Sequence, residues 1–476
     1  MFNYPLRLSA RLIAIYAIMC LFWVGFANWV APNIAAYDEL NSSIFYFIAA
    51  TPLAAVLHLV IVLFICSVDR KHQVGFVDAA RPYSHVNAIL VVFSAAFLAL
   101  AVLSGAQGDY KGYLGQWMAV LRGSDPWERA PWSDNAFGPN TYGPLFNVLA
   151  PLIWLNPLAN KLLFAFSYLV YVVWLIKVLA PRRGFIAFTW PGIGLWLLNP
   201  FPWEQIAYCG YFDVLVSLAC VAAVHSLVNS KDRASGSFLA LGILMKYMPI
   251  VILPFLVFSE RRFHFRLLSF CVGVVILGLA VSVFIWGTST FSPLTFAATR
   301  NSVFSIYIVL ASTHSPLRPF LDSLNVDWLD KPLLLTAGLA TFTWCILRQI
   351  EPALSSALAI LVTLLFYRVG YAQYQMVLFS LILYWAVSNW AQFEKQSVLV
   401  ALLGCYFGFL TLQNLAFWWG LVGSIFYSNV VVSLLQFLSG CALFVGLVQL
   451  RPKPCASRNA NGGSNPRDNL AENSRV

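Results

Sequence analysis

The chain has 476 residues, 60% hydrophobic, 16% aromatic and only 10% charged, with a mean hydropathy of +0.76. A soluble domain carries roughly a quarter of its residues as charges, so soluble enzymes are excluded, as are disordered chains, collagens and disulfide scaffolds. The net charge of +10 lies in short Lys/Arg clusters between apolar runs, which marks membrane topology and leaves no basic face for nucleic acid.

Apolar runs of about 20 residues, each long enough for a hydrocarbon core of about 30 Å, recur from Leu8 to Leu450. The first, Leu8 to Trp29, is too long for a signal h-region and lacks a small-residue cleavage site, so it is expected to persist as a helix. Further crossings are expected at Ser43–Cys66, Val86–Leu103, Leu162–Leu179, Gly184–Leu198, Val214–Val228, Leu268–Trp286, Pro332–Ile346, Ala353–Phe366, Met376–Trp390, Val398–Phe417 and Ile425–Leu450. Basic clusters around Arg70, Arg182, Lys231, Arg261 and Arg451 assign the cytoplasmic loops and put both termini inside.

The run Ala234–Phe258 has basic clusters on both sides, which a single crossing would separate. Lys246 and Pro249 interrupt it, and proline removes a backbone donor and disfavours helix in the residue before it. Two half-helices meeting near Lys246 to Pro249 as a re-entrant hairpin are expected; one kinked helix with a locally violated charge rule is the alternative. The fold class is then all-α and polytopic, with about 12 transmembrane helices plus the hairpin. Residues 1–107 hold three helices, 108–161 a long outer loop, 162–450 the main bundle and 451–476 a disordered cytoplasmic tail. Seven of the nine cysteines lie inside apolar runs and read as small buried residues.

The polar chemistry gathers in the outer loops. Asp109 follows the third crossing directly, as either a carboxylate at the membrane boundary or a plain helix-end residue. Tyr110, Tyr113, Trp117 and Tyr142 suit either an interfacial aromatic belt or a platform for sugar rings. Glu204 and Asp213 lie near the same boundary, where Asp213 either caps a helix or binds sugar. Lys246 is a cation in an apolar run, which costs a few kcal/mol unless it is paired or snorkels; a lipid phosphate or the headgroups could supply the partner. Arg300, His314 and Arg368 are the other outer cations, as headgroup anchors or as grips for phosphate. The last outer cluster contains Gln373, Tyr374 and Gln375. No metal-ligand spacing, nucleotide-binding glycine loop or Gly-x-Ser-x-Gly elbow occurs.

These residues share an order. Asp109, Tyr113, Leu121-x-Gly123-x-x-Pro126-Trp127 and Tyr142-x-Pro144-Leu145 come first; Asn199-Pro200, Gly210-Tyr211-Phe212-Asp213, Gly236 to Lys246-x-x-Pro249 and Gln373-Tyr374 follow. The series resembles the multi-spanning glycosyltransferases of the GT-C class, in particular family 87 and the mannosyltransferases of the GPI-anchor first-mannose type. The resemblance implies transfer of a sugar, with mannose the first candidate, from a polyprenyl-phosphate donor to a glycan or glycolipid acceptor. The reaction would invert the anomeric centre at the outer face, with Asp109 as base. Some members carry a histidine pair where this chain has Gln373 and Gln375.

The leaving phosphate needs a cation, and the candidates are Arg300, Arg368, His314 and Lys246. Tyr110, Tyr113, Trp117, Tyr142, Glu204, Asp213, Gln373, Tyr374 and Gln375 are the candidate substrate contacts. No cofactor is expected beyond, at most, a loosely held divalent cation. Short loops without a large soluble domain point to a bacterial inner membrane with the site facing the periplasm. Two other classes remain open at this stage: a transporter of lipid-linked oligosaccharide and a non-catalytic assembly subunit.

Overall fold

The computed structural model describes residues 93–127, 142–179, 199–299, 305–311, 330–389, 393–419 and 428–450, less scattered positions within the first, second and sixth stretches. Among the described residues the regular elements are helices, and no strand occurs. In chain order they are α1 (Asp109–Leu121), a 3-10 helix (Pro144–Trp154), α2 (Ala159–Trp174), a π-helical turn (Trp203–Tyr208), α3 (Asp213–Val228) and α4 (Asp232–Met245). Then follow α5 (Phe265–Trp286), α6 (Asp330–Arg348), α7 (Pro352–Phe366), α8 (Gln375–Ser388), α9 (Ser397–Trp419) and α10 (Ser428–Val448).

Local chemistry accounts for several boundaries. Pro352 opens α7 at its first position, where its missing N–H has no helical partner to lose. Asp330 in the first turn of α6 and Arg348 in the last are both favoured by the helix dipole. At the end of α4 the Lys246 backbone turns extended (φ −155°, ψ 127°), and a 3-10 helix, Met248–Ile252, restarts with Pro249 near its start.

That break produces a hairpin of unequal arms. The chain runs along α4 and returns through Met248–Ile252 and the short helix Leu253–Val257. His264 Nδ1 then lies 3.2 Å from the Asp232 carboxylate, so the segment ends where it began. α5 sets off again parallel to α4: Gly236 lies against Leu267 near one end, and Leu244 against Gly278 near the other.

Helices α7 and α8 are buried along nearly their whole length and form the centre of the bundle. α3 packs on α8 and α4, α4 packs on α5, and α7 carries α6 and α10 on its other side. The outermost helices show the opposite pattern. On α5, only Leu267, Cys271 and Ser282 are buried, while Ile276, Leu277 and Phe284 are exposed, the last at 91%. In water such a face would lose about 25 cal/mol per Å² of apolar surface; a hydrocarbon solvent removes that penalty.

The expected crossings fare unevenly. Those at Leu8–Trp29, Ser43–Cys66 and Gly184–Leu198, like the 451–476 tail, lie outside the described residues. Helices occur at the positions expected from Leu162 onward, apart from that masked run, but the count of twelve spans does not emerge from them. One continuous helical stretch, Phe265–Thr295, is long and apolar enough to cross a membrane. Two bent pairs, Pro144–Trp154 with Ala159–Trp174 (113°) and Pro200–Tyr208 with Asp213–Val228 (119°), raise the number to three if each is one span. Pro352–Phe366, Ala372–Ser388, Val398–Leu410 and Ser433–Val448 are apolar but shorter. Helices of about 15 residues rise only about 22 Å, less than the hydrocarbon core. The elbows matter because they bring the start of α1, the π-helical turn and the start of α3 together.

Candidate active site

α1 begins at Asp109, and a carboxylate in a first turn is favoured by the helix dipole. Tyr110, Tyr113 and Trp117 recur at helical spacing on its inner face, and all three are fully buried. They join Tyr142, Phe146 and Phe212 in one aromatic block. Trp117 stacks on Phe146 at 4.9 Å, while Tyr113 meets Tyr142 at 5.0 Å and Phe146 at 5.2 Å, edge to face. Phe212 closes the block at 4.9 Å from Tyr142 and 4.6 Å from Phe146. Pairs of this kind contribute about 0.5–1.5 kcal/mol each beyond the area they bury.

Two of the polar tips reach backbone carbonyls. Trp117 Nε1 donates to Phe146 O (3.1 Å), and Tyr110 Oη donates to Pro157 O (2.7 Å). Tyr110, Tyr113, Trp117 and Tyr142, expected as a platform for sugar or an interfacial belt, are packed inside the protein in this structure. Their faces are spent on one another, and their role is to hold the start of α1 rigid.

Asp109 is only half-buried. Across 264 positions of sequence, Gln373 Nε2 donates to Asp109 Oδ2 at 3.0 Å. Gln373 belongs to a 3-10 turn, Ala372–Tyr374, that leads into α8. The next residue, Tyr374, turns its ring face to Lys246, whose Nζ sits 3.9 Å from the ring centroid and 5.5 Å from that of Phe212. Cations are drawn to aromatic faces in this way. The same ammonium donates to Asp213 Oδ1 at 2.5 Å, and both partners are buried. Asp109, Gln373, Tyr374, Lys246 and Asp213 thus form one run of contacts drawn from α1, the turn before α8, the α4 break and the start of α3.

With that geometry in place the sequence comparison becomes informative. Residues 140–369 match the family model of glycosyltransferase family 87. The family is one of GT-C-type polytopic membrane glycosyltransferases, and the match, together with the long apolar stretch Phe265–Thr295, supports a membrane protein with glycosyltransferase activity. No curated protein matches the chain. The family 87 segment contains Tyr142, Asp213, Lys246 and Arg368, whereas Asp109 precedes it and Gln373 and Tyr374 follow it. The site is completed from outside the matched region.

The other expected residues take different places. Asp213 is the first residue of α3, but no side chain caps that helix; its carboxylate goes to Lys246, which overturns the capping reading. Gln375 Oε1 accepts from Tyr406 Oη of α9 at 2.8 Å, so Gln375 ties two helices together instead of facing Asp109. Arg368 donates to Asp330 through Nε (2.7 Å) and Nη2 (3.0 Å), a bidentate pair that engages the guanidinium expected to grip phosphate. Arg300 and His314 lie outside the described residues. Glu204 sits buried in the π-helical turn; it and Asp109 both act electrostatically on Tyr211.

Burial first, and the Asp109 charge next, push the Tyr142 phenol well above its ordinary value. That phenol stays protonated, which leaves carboxylates to accept protons. Among the described residues no three His, Cys, Asp or Glu side chains group as metal ligands.

Gly143 shows how tightly the α4 break is held. Its N–H donates to Met245 O at 2.9 Å, and a Cβ at this position would lie 2.1 Å from Leu244 O. Gly143→Ala is expected to displace the end of α4 and Lys246 with it. It should lower stability by about 1–3 kcal/mol, the usual range for overpacking. A thermal-unfolding comparison in detergent checks this; an unshifted transition would mean that Gly143 does not press on α4.

Sequence reasoning passed over Lys161, Phe146 and Asp330, and gave Phe212 no role beyond its place in a motif. Only Lys161 carried a visible signal, a solitary cation at the mouth of an apolar run.

Proposed function

We propose that the protein transfers a sugar, with mannose the first candidate, from a polyprenyl-phosphate-linked donor to a hydroxyl of a glycan or glycolipid. Inversion at the anomeric carbon follows from a single direct displacement. The observation that carries this reading is the half-buried Asp109 carboxylate, oriented by Gln373 and joined through Tyr374 to the buried Lys246–Asp213 pair.

A sugar hydroxyl is a weak nucleophile. As its oxygen attacks the anomeric carbon, its proton passes to Asp109, and the bond from that carbon to the donor's phosphate oxygen breaks. A positioned carboxylate base contributes typically 10²- to 10⁴-fold. Gln373, donating to one oxygen of Asp109, holds the carboxylate in place. The departing lipid phosphate gains negative charge, and Lys246 is the described cation that touches the Gln373–Tyr374 turn. In a water-poor site such a preoriented charge acts far more strongly than it would in water. On this reading side chains supply the charge. The reaction takes place at the non-cytoplasmic face of a bacterial inner membrane, with both termini on the other side.

Mass spectrometry of lipid-linked glycans from cells with and without the gene tests the proposal. The expected result is loss of one sugar residue and accumulation of the acceptor that lacks it. Unchanged glycans would overturn it. Complete glycans stranded on the cytoplasmic side would point to a transporter instead.

A further inference from the structure

Lys161, three residues into α2, is fully buried. Its Nζ donates to Ser104 Oγ (2.6 Å), Gly105 O (2.6 Å) and Tyr208 O (2.5 Å). Among the described residues no carboxylate pairs with it. An ammonium has three donors and no acceptor, so three oxygens use it completely. Ser104 Oγ places its own hydrogen toward Leu100 O at 2.7 Å and therefore accepts at the lysine. A neutral amine, with two donors, would leave one of the three oxygens without a hydrogen.

Burial lowers the pKa of the Lys161 ammonium to about 7, and the choice of oxygens favours its charged form. Ser104 and Gly105 close the helical stretch containing Leu100, with Ser104 N bonded to Leu100 O and Gly105 N to Val102 O. Tyr208 closes the π-helical turn. Both are carboxyl-terminal ends, where a helix dipole favours a cation. Lys161 stands in the first turn of its own helix, where the dipole opposes it, so α2 alone does not account for a lysine here.

Residue 161 also reaches the far side of Asp109. Its backbone N–H donates to Tyr110 Oη at 3.1 Å. Gly210, at φ +74°, lets Lys161 and Tyr110 close over it; a Cβ there would lie 3.0 Å from both Lys161 Cγ and the Tyr110 ring. The segment entering Asp109 and the residue leaving it are both fastened to Lys161.

We propose that Lys161 is a positioning residue for Asp109, clamping the chain on either side of that carboxylate to the π-helical turn that ends at Tyr208. The proposal rests on Asp109 being the base. A misplacement of about 1 Å at a reacting group costs about 10²-fold in rate.

The test uses full-length protein in detergent, with Lys161→Met, Lys161→Arg and Ser104→Ala. Hydrogen exchange is followed at amides 104–113 and, as an internal reference, at 214–228. Transfer from polyprenyl-phosphate mannose is measured alongside. Lys161→Met is expected to speed exchange at 104–113 by about tenfold or more with 214–228 unchanged. It should lower kcat by about 10²-fold while donor KM stays within about threefold. Lys161→Arg keeps the charge and the donors and is expected to restore at least about a tenth of the wild-type kcat. Unchanged exchange at 104–113 in folded Lys161→Met overturns the proposal, as does faster exchange with undiminished kcat. If wild-type protein transfers no sugar, the functional reading fails by itself, and the exchange data still decide whether the clamp exists. If Lys161→Met does not fold, Ser104→Ala removes one of the three acceptors; faster exchange at 104–113 supports the clamp and unchanged exchange overturns it.

Discussion

Purified Asp109→Asn is expected to lose about 10²- to 10⁴-fold in the rate of sugar transfer, the range that a positioned general base supplies. The substitution keeps the shape of the side chain and an oxygen that still accepts from Gln373 Nε2. It removes the ability to take a proton. Aspartate and asparagine differ little in volume and the site is only half-buried, so the unfolding temperature should move by no more than a few degrees. Loss of transfer without loss of fold separates a chemical role from a structural one. Full transfer by Asp109→Asn, measured with a lipid-linked donor and acceptor, would falsify the assignment of the base.

The second large effect concerns the Lys246–Asp213 pair. Both charges are buried, at 5% and 0% exposure, so removing one leaves the other without compensation. Such single removals typically cost 3–5 kcal/mol, whereas replacing both members by apolar residues of similar volume is often neutral or stabilising. Asp213→Leu and Lys246→Met are each expected to lower the unfolding temperature sharply, and the double variant to recover most of the loss. Transfer should stay abolished in the double variant, because the Lys246 cation beside Tyr374 is gone while the packing is repaired. A double variant that is stable and fully active would remove Lys246 from the reaction and leave the pair a purely structural role. One that is as unstable as the single variants would show that Tyr374 and Phe212 need the cation between them.

Several candidate residues take places that the sequence did not suggest, and for one cause. The outer-loop aromatics were expected to meet sugar or headgroups, and instead fill a core beneath Asp109. Nothing in the order Tyr110, Tyr113, Trp117 says that Phe146 and Phe212 arrive from other elements to cover them. Arg368 was expected at a phosphate and is engaged by Asp330, 38 positions away. Gln375 was expected beside Gln373 in function as it is in sequence. On a helical turn two residues two apart point in different directions, and Tyr406 takes the second glutamine.

Residue types and local order were enough to point to a helical membrane protein, to place the break at Lys246 and Pro249 where the chain doubles back, and to single out Asp109, Gln373 and Tyr374, which the structure brings together. Those are properties of hydropathy, proline geometry and motif order, which need no partner to be read. How the buried charges are paired was decided only by the tertiary structure. It gave Asp213 to Lys246, Asp330 to Arg368, and Ser104, Gly105 and Tyr208 to Lys161. The physical reason is that a buried charge must find a partner within about 3 Å, and partners tens or hundreds of residues apart are chosen by how helices pack, which no local pattern records.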